Sequence, residues 1–168
     1  EGSALVAHGA RQGRPRVTTP HLTPAQARHI EDYMRRALEA LRLNAWVVEV
    51  SPEPAEEHAN MSIFPTDGRR IATLCVSPDW WDRQTPADKR IDITHEALHL
   101  AHHDVEAGIR IFLANSGDIA EYPASIVLER FRLDLERMVD ALSYTVAALI
   151  PEWTDPTRDH AANEESDT

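Results

Sequence analysis

Apolar residues first recur with a helical period at Ile30, Tyr33, Met34, Ala37, Leu38 and Leu41. These fall at i, i+3, i+4, i+7, i+8 and i+11, one face of an α-helix. Thr23, Pro24 and Gln26 supply an N-cap, a first-turn proline and a capping-box partner, and Asn44 is a stop. The period then shifts. AWVVEV (45–50) is β-branched and reads as a strand closed by Pro52 and Pro54. Residues 60–65 and 70–77 flank Asp67-Gly68, a hairpin signal. IATLCV (71–76) is almost wholly apolar, which predicts a strand covered on both faces, with Cys75 as a small buried thiol. Trp80-Trp81 reads as a core or loop anchor, a cleft wall being the alternative. A second capped start, Thr85-Pro86-Ala87-Asp88, opens a helix running to about His103. Residues 105–122 fit either strand or helix in GIRIFLA, and Asn115-Ser116-Gly117-Asp118 is loop-like. Pro123 opens a last helix to about Ile150, with the stripe Leu128, Phe131, Leu135, Met138, Val139, Leu142, Val146 and Leu149. Pro151 ends it, and Trp153 packs on the body or meets a partner.

The order helix, three strands, helix, helix predicts an α+β domain over residues 21–153. A flexible N-terminal arm (1–20) and an acidic C-terminal tail (154–168) flank it, either of them able to contact a partner protein or a neighbouring subunit. The 168 residues suffice for one core and are too few for two ordinary ones. Lys+Arg is 17 against Asp+Glu 28, a net charge of −11, which argues against a nucleic-acid backbone binder. One cysteine excludes an internal disulfide framework and a cysteine-ligated zinc finger. No apolar run approaches the length of a membrane span, and no membrane partner is expected. The first residues lack a signal layout, so the expectation is cytoplasmic, with secretion after removal of a leader as the alternative. Lys89 is the only lysine, a base-composition trait that suggests a bacterial or phage source.

Chemistry concentrates in His95-Glu96-Ala97-Leu98-His99. Residues four apart lie one helical turn apart on one face, so two imidazoles can grip one metal ion. Glu96 lies next to that face and can take a proton from a water the metal holds. The motif sits inside a capped helix among Ile91, Ile93, Leu98 and Leu100, which predicts a buried rather than a solvated helix.

A catalytic site of this kind needs a third protein ligand. His102 lies near the same face, but about 4.5 Å further along the axis than His99, which suits a rim position better. A glycine turn with a third histidine ten residues after the first is absent, since position 102 is His and position 105 is Val. Asp104 would need a sharp turn with no glycine to make it. The last helix offers Glu136 and Asp140, at about 100° and 140° from Leu135 and so beside the apolar stripe. Glu129 lies on that side too. Surface pairing with Arg132 and Arg137 is the ordinary alternative for these acids.

HEALH with a later helical ExxxD (Glu136-Arg-Met-Val-Asp140) resembles the gluzincin, thermolysin-like branch of HExxH zinc metallopeptidases. The element order is similar to a minimal, single-domain zincin. The resemblance implies one zinc ion held by His95, His99 and Glu136, with Glu96 as general base and Asp140 bonded to a zinc histidine, His95. The implied activity is hydrolysis of a protein or peptide substrate whose extended backbone pairs with a strand of the sheet. Two features depart from the family. The 36 residues between His99 and Glu136 are a long gap. The oxyanion-stabilising Tyr or His is not identified, with His102, Tyr144, His103 and Tyr122 as candidates. A zincin-like metal-binding module without turnover, serving protein interaction or phage assembly, is the alternative.

Overall fold

The computed structural model describes residues 21–66, 68–115 and 121–154. The arm 1–20, Asp67 of the hairpin signal, residues 116–118 of the loop-like stretch and the tail from 155 lie outside the described residues. The fold is α+β: α1 (Pro24–Ala40), β1 (Val47–Val50), β2 (Met61–Pro65), β3 (Ile71–Val76), α2 (Trp80–Arg83), α3 (Pro86–Asn115) and α4 (Glu121–Val146), the last continued by a 3₁₀ turn (Ala147–Leu149).

The capping box forms as the sequence predicts. Thr23 Oγ1 accepts from Gln26 N at 3.2 Å, and Thr23 N donates to Gln26 Oε1 at 2.8 Å. Ile30, Tyr33, Met34, Ala37 and Leu38 of α1 are buried. The sheet order is β1-β3-β2, with β1 parallel and β2 antiparallel to β3. Gly68 takes φ +70° in the β2–β3 connection, a left-handed conformation that glycine adopts without a Cβ penalty. β3 is central, and Ala72, Leu74 and Val76 are fully buried, but Ile71 and Thr73 are exposed. The strand is thus covered on one face along its length, not on both.

The main core joins α1, β3, α2, the first half of α3 and the segment after α4 through Tyr33, Met34, Leu74, Trp80, Ile93, Leu100, Ile150 and Trp153. Both residues of Trp80-Trp81 are buried, as core anchors. The Lys89 ammonium lies 4.8 Å from the Trp81 ring and 5.6 Å from those of Trp80 and Trp153, a cation–π cage. Tyr33 donates to the Pro151 carbonyl, tying the segment after α4 to α1.

Two helices differ from expectation. α3 does not stop near His103 but continues to Asn115, absorbing GIRIFLA as helix. The i,i+4 pair Glu106–Arg110 (3.0 Å) supports this extension, and a Cβ at Gly108 would meet nothing within 4 Å. The stripe of α4 is also narrower than predicted. Leu135 and Val139 are buried and pack with Leu98 and Phe131, whereas Met138, Leu142 and Leu149 are exposed. α4 packs mainly along α3, so a single neighbour covers only a narrow seam. Among the described residues no helix is long and apolar enough to cross a membrane.

Candidate metal centre

The second small core, Leu98 against Leu135 and Val139, fixes the side-by-side placement of α3 and α4. Leu98 lies between the two histidines of HEALH, and Leu135 immediately precedes Glu136. Packing of the leucines therefore brings the neighbouring polar side chains together. His95 Nε2 and His99 Nε2 are 3.0 Å apart. Glu136 Oε2 lies 3.7 Å from His95 Nε2, and Glu136 Oε1 lies 3.5 Å from His99 Nε2. One ligand atom from each of the three residues falls within 4.8 Å of the others. Tetrahedral zinc with bonds near 2.0–2.1 Å spaces its ligand atoms about 3.4 Å apart. The three separations bracket that value, and two imidazoles with one carboxylate form a donor set that suits zinc.

Burial lowers the basicity of both histidines, reinforced at His95 by His99 and at His99 by His102. Neutral imidazoles are the form that ligates a metal. Asp140 Oδ1 is 3.2 Å from His95 Nδ1. A proton on that Nδ1 then donates to Asp140 and leaves the Nε2 lone pair directed at Glu136 and His99. Glu136 is half-exposed, and its carboxyl is held above the ordinary value chiefly by desolvation.

Glu96 is only 6% exposed, and burial pushes its carboxyl up to about 8, with the charges of Glu136 and Asp92 adding to the effect. A backbone hydrogen bond from Ile63 of β2 opposes this. β2 pairs only with β3, so its other edge opens onto a cleft of about 600 Å³. The cleft wall takes in Met61 to Pro65, His95, Glu96, His99 and Glu136. Three potential ligands and one buried carboxyl thus face a free strand edge.

Most of the remaining sequence candidates fall elsewhere. His102 does not line the cleft, and its Nε2 is buried without a hydrogen-bond partner. Tyr144 is 70% exposed and also off the cleft wall. His103 does line the cleft, with its ring 5.5 Å from Trp46. The Tyr122 side chain lies outside the described residues. Asp104 is turned away and pairs with Arg70 (3.0 Å), and Glu129 is exposed.

Three contributors were not singled out from the sequence. Asp92, one turn before His95, accepts from Trp80 Nε1 at 2.8 Å and from Asn60 Nδ2 at 3.3 Å. This bonds the start of α3 to α2 and to the residue preceding β2. Its i−3 spacing from His95 was the available signal. Ile63 acts through its backbone N–H, which no side-chain pattern reveals. Glu106 lies two turns beyond His99 on the same face and bonds Arg110 and Arg132 at the far end of the cleft. Comparison with protein-family models, with curated proteins and with solved structures finds no match.

Proposed function

We propose that the protein is a metal-dependent peptidase, with zinc as the ion its donors suit best. The observation that carries this reading is the convergence of His95, His99 and Glu136 beside the buried Glu96, on the wall of a cleft edged by β2. A divalent cation held by those three residues supplies a Lewis acid that lowers the pKa of a coordinated water toward about 7. A cation held there would also favour the charged form of Glu96, against the burial that raises its carboxyl to about 8. Glu96 then accepts the proton of the attacking water and delivers it to the leaving amine. The Ile63 N–H fixes the orientation of that carboxylate. Asp140 holds the Nδ1 proton of His95 and so keeps its Nε2 free for the ion. Apart from the Ile63 N–H bonded to Glu96, the outer edge of β2 has no strand partner among the described residues and can pair with an extended peptide, which supports a peptide rather than a small ester as substrate.

The test is cleavage of a proteome-derived peptide pool, read by mass spectrometry as new termini. Zinc-loaded wild-type protein should generate them. A chelator, or Glu96→Gln with zinc still bound, should abolish them. Full activity in Glu96→Gln would remove Glu96 as the base. One observation favours a second reading, a metal-holding module without turnover: His102 and Tyr144 do not reach the cleft wall to stabilise an oxyanion, which leaves that role to His103. On that reading zinc binds and no new termini form.

A further inference from the structure

The cleft has a charged end remote from Glu96. Arg132 Nε and Arg110 Nη2 both donate to one oxygen of Glu106, at 3.1 and 3.0 Å. All three residues line the cleft. The carboxylate is the sheltered member, with its side chain 19% exposed against 60% for Arg132 and 44% for Arg110. Each guanidinium carries five N–H donors in a planar fork. One shared carboxylate oxygen uses one donor from each, so the pair retains unused donors and one uncompensated positive charge. Position matters as much as charge. Arg130 and Arg137 also share one acid, Asp134, but none of the three lines the cleft.

Arg132 precedes Glu136 by one helical turn, about 6 Å along the axis. An extended peptide advances about 3.3 Å per residue. A substrate group two or so residues from a bond positioned at the centre beside Glu136 therefore comes within reach of the guanidiniums. The other acids facing this cleft are Glu56, Glu96 and Glu136, and the chain's net charge is −11. Those acids weaken anion binding throughout the cleft, so the pair marks the one end where an anionic group finds an opposite charge.

We propose that Arg110 and Arg132, tethered by Glu106, form a substrate subsite that selects a carboxylate. The inference rests on the peptidase reading of the same cleft and names its preferred substrates. An Asp or Glu side chain and a free peptide C-terminus share this chemistry, and the guanidinium fork binds either bidentately.

The test uses immobilised, zinc-loaded, full-chain protein carrying Glu96→Gln, so that bound peptides are not consumed. Its probes are random heptapeptides with Asp or Glu scanned through each position, against the same pool with Asn or Gln. Each pool is made with free and with amidated C-termini, and retained peptides are identified by mass spectrometry. The expected result is about tenfold or greater enrichment of acid over amide at one position, a difference of about 1.4 kcal/mol. Enrichment confined to free C-termini, whatever the side chains, assigns the subsite to the terminal carboxylate. Arg132→Gln should abolish the preference. Glu106→Gln, which removes the competing carboxylate, should strengthen it. A purely structural ion-pair cluster would instead respond alike to both variants. An equal response, or the absence of any acid–amide difference, overturns the proposal. Turnover of the enriched peptides by wild-type protein is scored separately. Enrichment without cleavage sinks the peptidase reading and leaves the subsite, whereas cleavage without acid preference does the reverse.

Discussion

The carboxyl group of Glu96 makes a stability prediction that can be isolated from every other titration in the chain. In the metal-free protein burial raises it from 4.5 to about 8. The folded chain therefore holds this proton more tightly than the unfolded chain does. Between pH 4.5 and about 8 the unfolded state has lost the proton while the folded state keeps it. Unfolding free energy must then fall as pH rises through that window, and stay lowered above it. At about 1.4 kcal/mol per pH unit, the whole span corresponds to at most about 5 kcal/mol. Glu96→Gln is nearly isosteric, stays neutral and has no such dependence. Urea unfolding of wild type and variant, both with chelator, at pH 5, 7 and 9, gives the difference directly. The variant should gain on the wild type steadily from pH 5 to pH 9 and be the more stable protein at the alkaline end. A difference that stays flat across the three pH values would mean that the carboxyl is solvated, and the buried-base geometry would be wrong.

Three further outcomes follow from the geometry. Free zinc at about one hundred times its Kd stabilises a one-site protein by about 2.7 kcal/mol, so wild-type protein should melt about 5–10 °C higher with zinc. His99→Ala should lose that shift in differential scanning fluorimetry. Asp140→Asn should keep the fold but weaken zinc affinity by about 10–100-fold in a competition titration, because the partner of His95 Nδ1 is altered. Leu74→Ala empties a fully buried position in the central strand and should cost about 2–5 kcal/mol in urea unfolding, whether or not metal is present.

How much of this was legible in the sequence depended on whether local chemistry or tertiary packing made the decision. The start of α1 was readable because Thr23 and Gln26 form the cap with each other and need nothing distant. The extent of α3 was not. After His103 the apolar residues Val105, Ile111 and Phe112 are exposed, so their spacing reports no buried face. Continuity there is carried by the backbone ladder and by pairs such as Glu106–Arg110. The stripe of α4 misled for the same reason. Periodicity marks the residues able to face a core, and of the predicted stripe only Leu135 and Val139 are buried, with the polar Ser143 continuing the seam.

The candidate centre follows the same division. His95 and His99 share a helix, so a four-residue spacing was enough to align them. Glu136 comes from another helix, and the sequence could only place it beside an apolar stripe. Contact of Leu98 with Leu135 converts that angular position into separations of 3.5 and 3.7 Å from the two rings. The same contact has an energetic consequence. Packing α3 against α4 shields His95, His99 and Glu96 from water and Glu136 in part, and desolvation shifts each of them toward its uncharged form. Folding thus gathers lone pairs and carboxylate oxygens that repel one another within a few ångströms. A divalent cation turns that repulsion into ligation, so residues that weaken the metal-free fold become its clamp once the ion binds. The stability of the α3–α4 seam and the affinity of the centre are on this argument one linked quantity: a substitution that loosens the Leu98–Leu135 contact should weaken both.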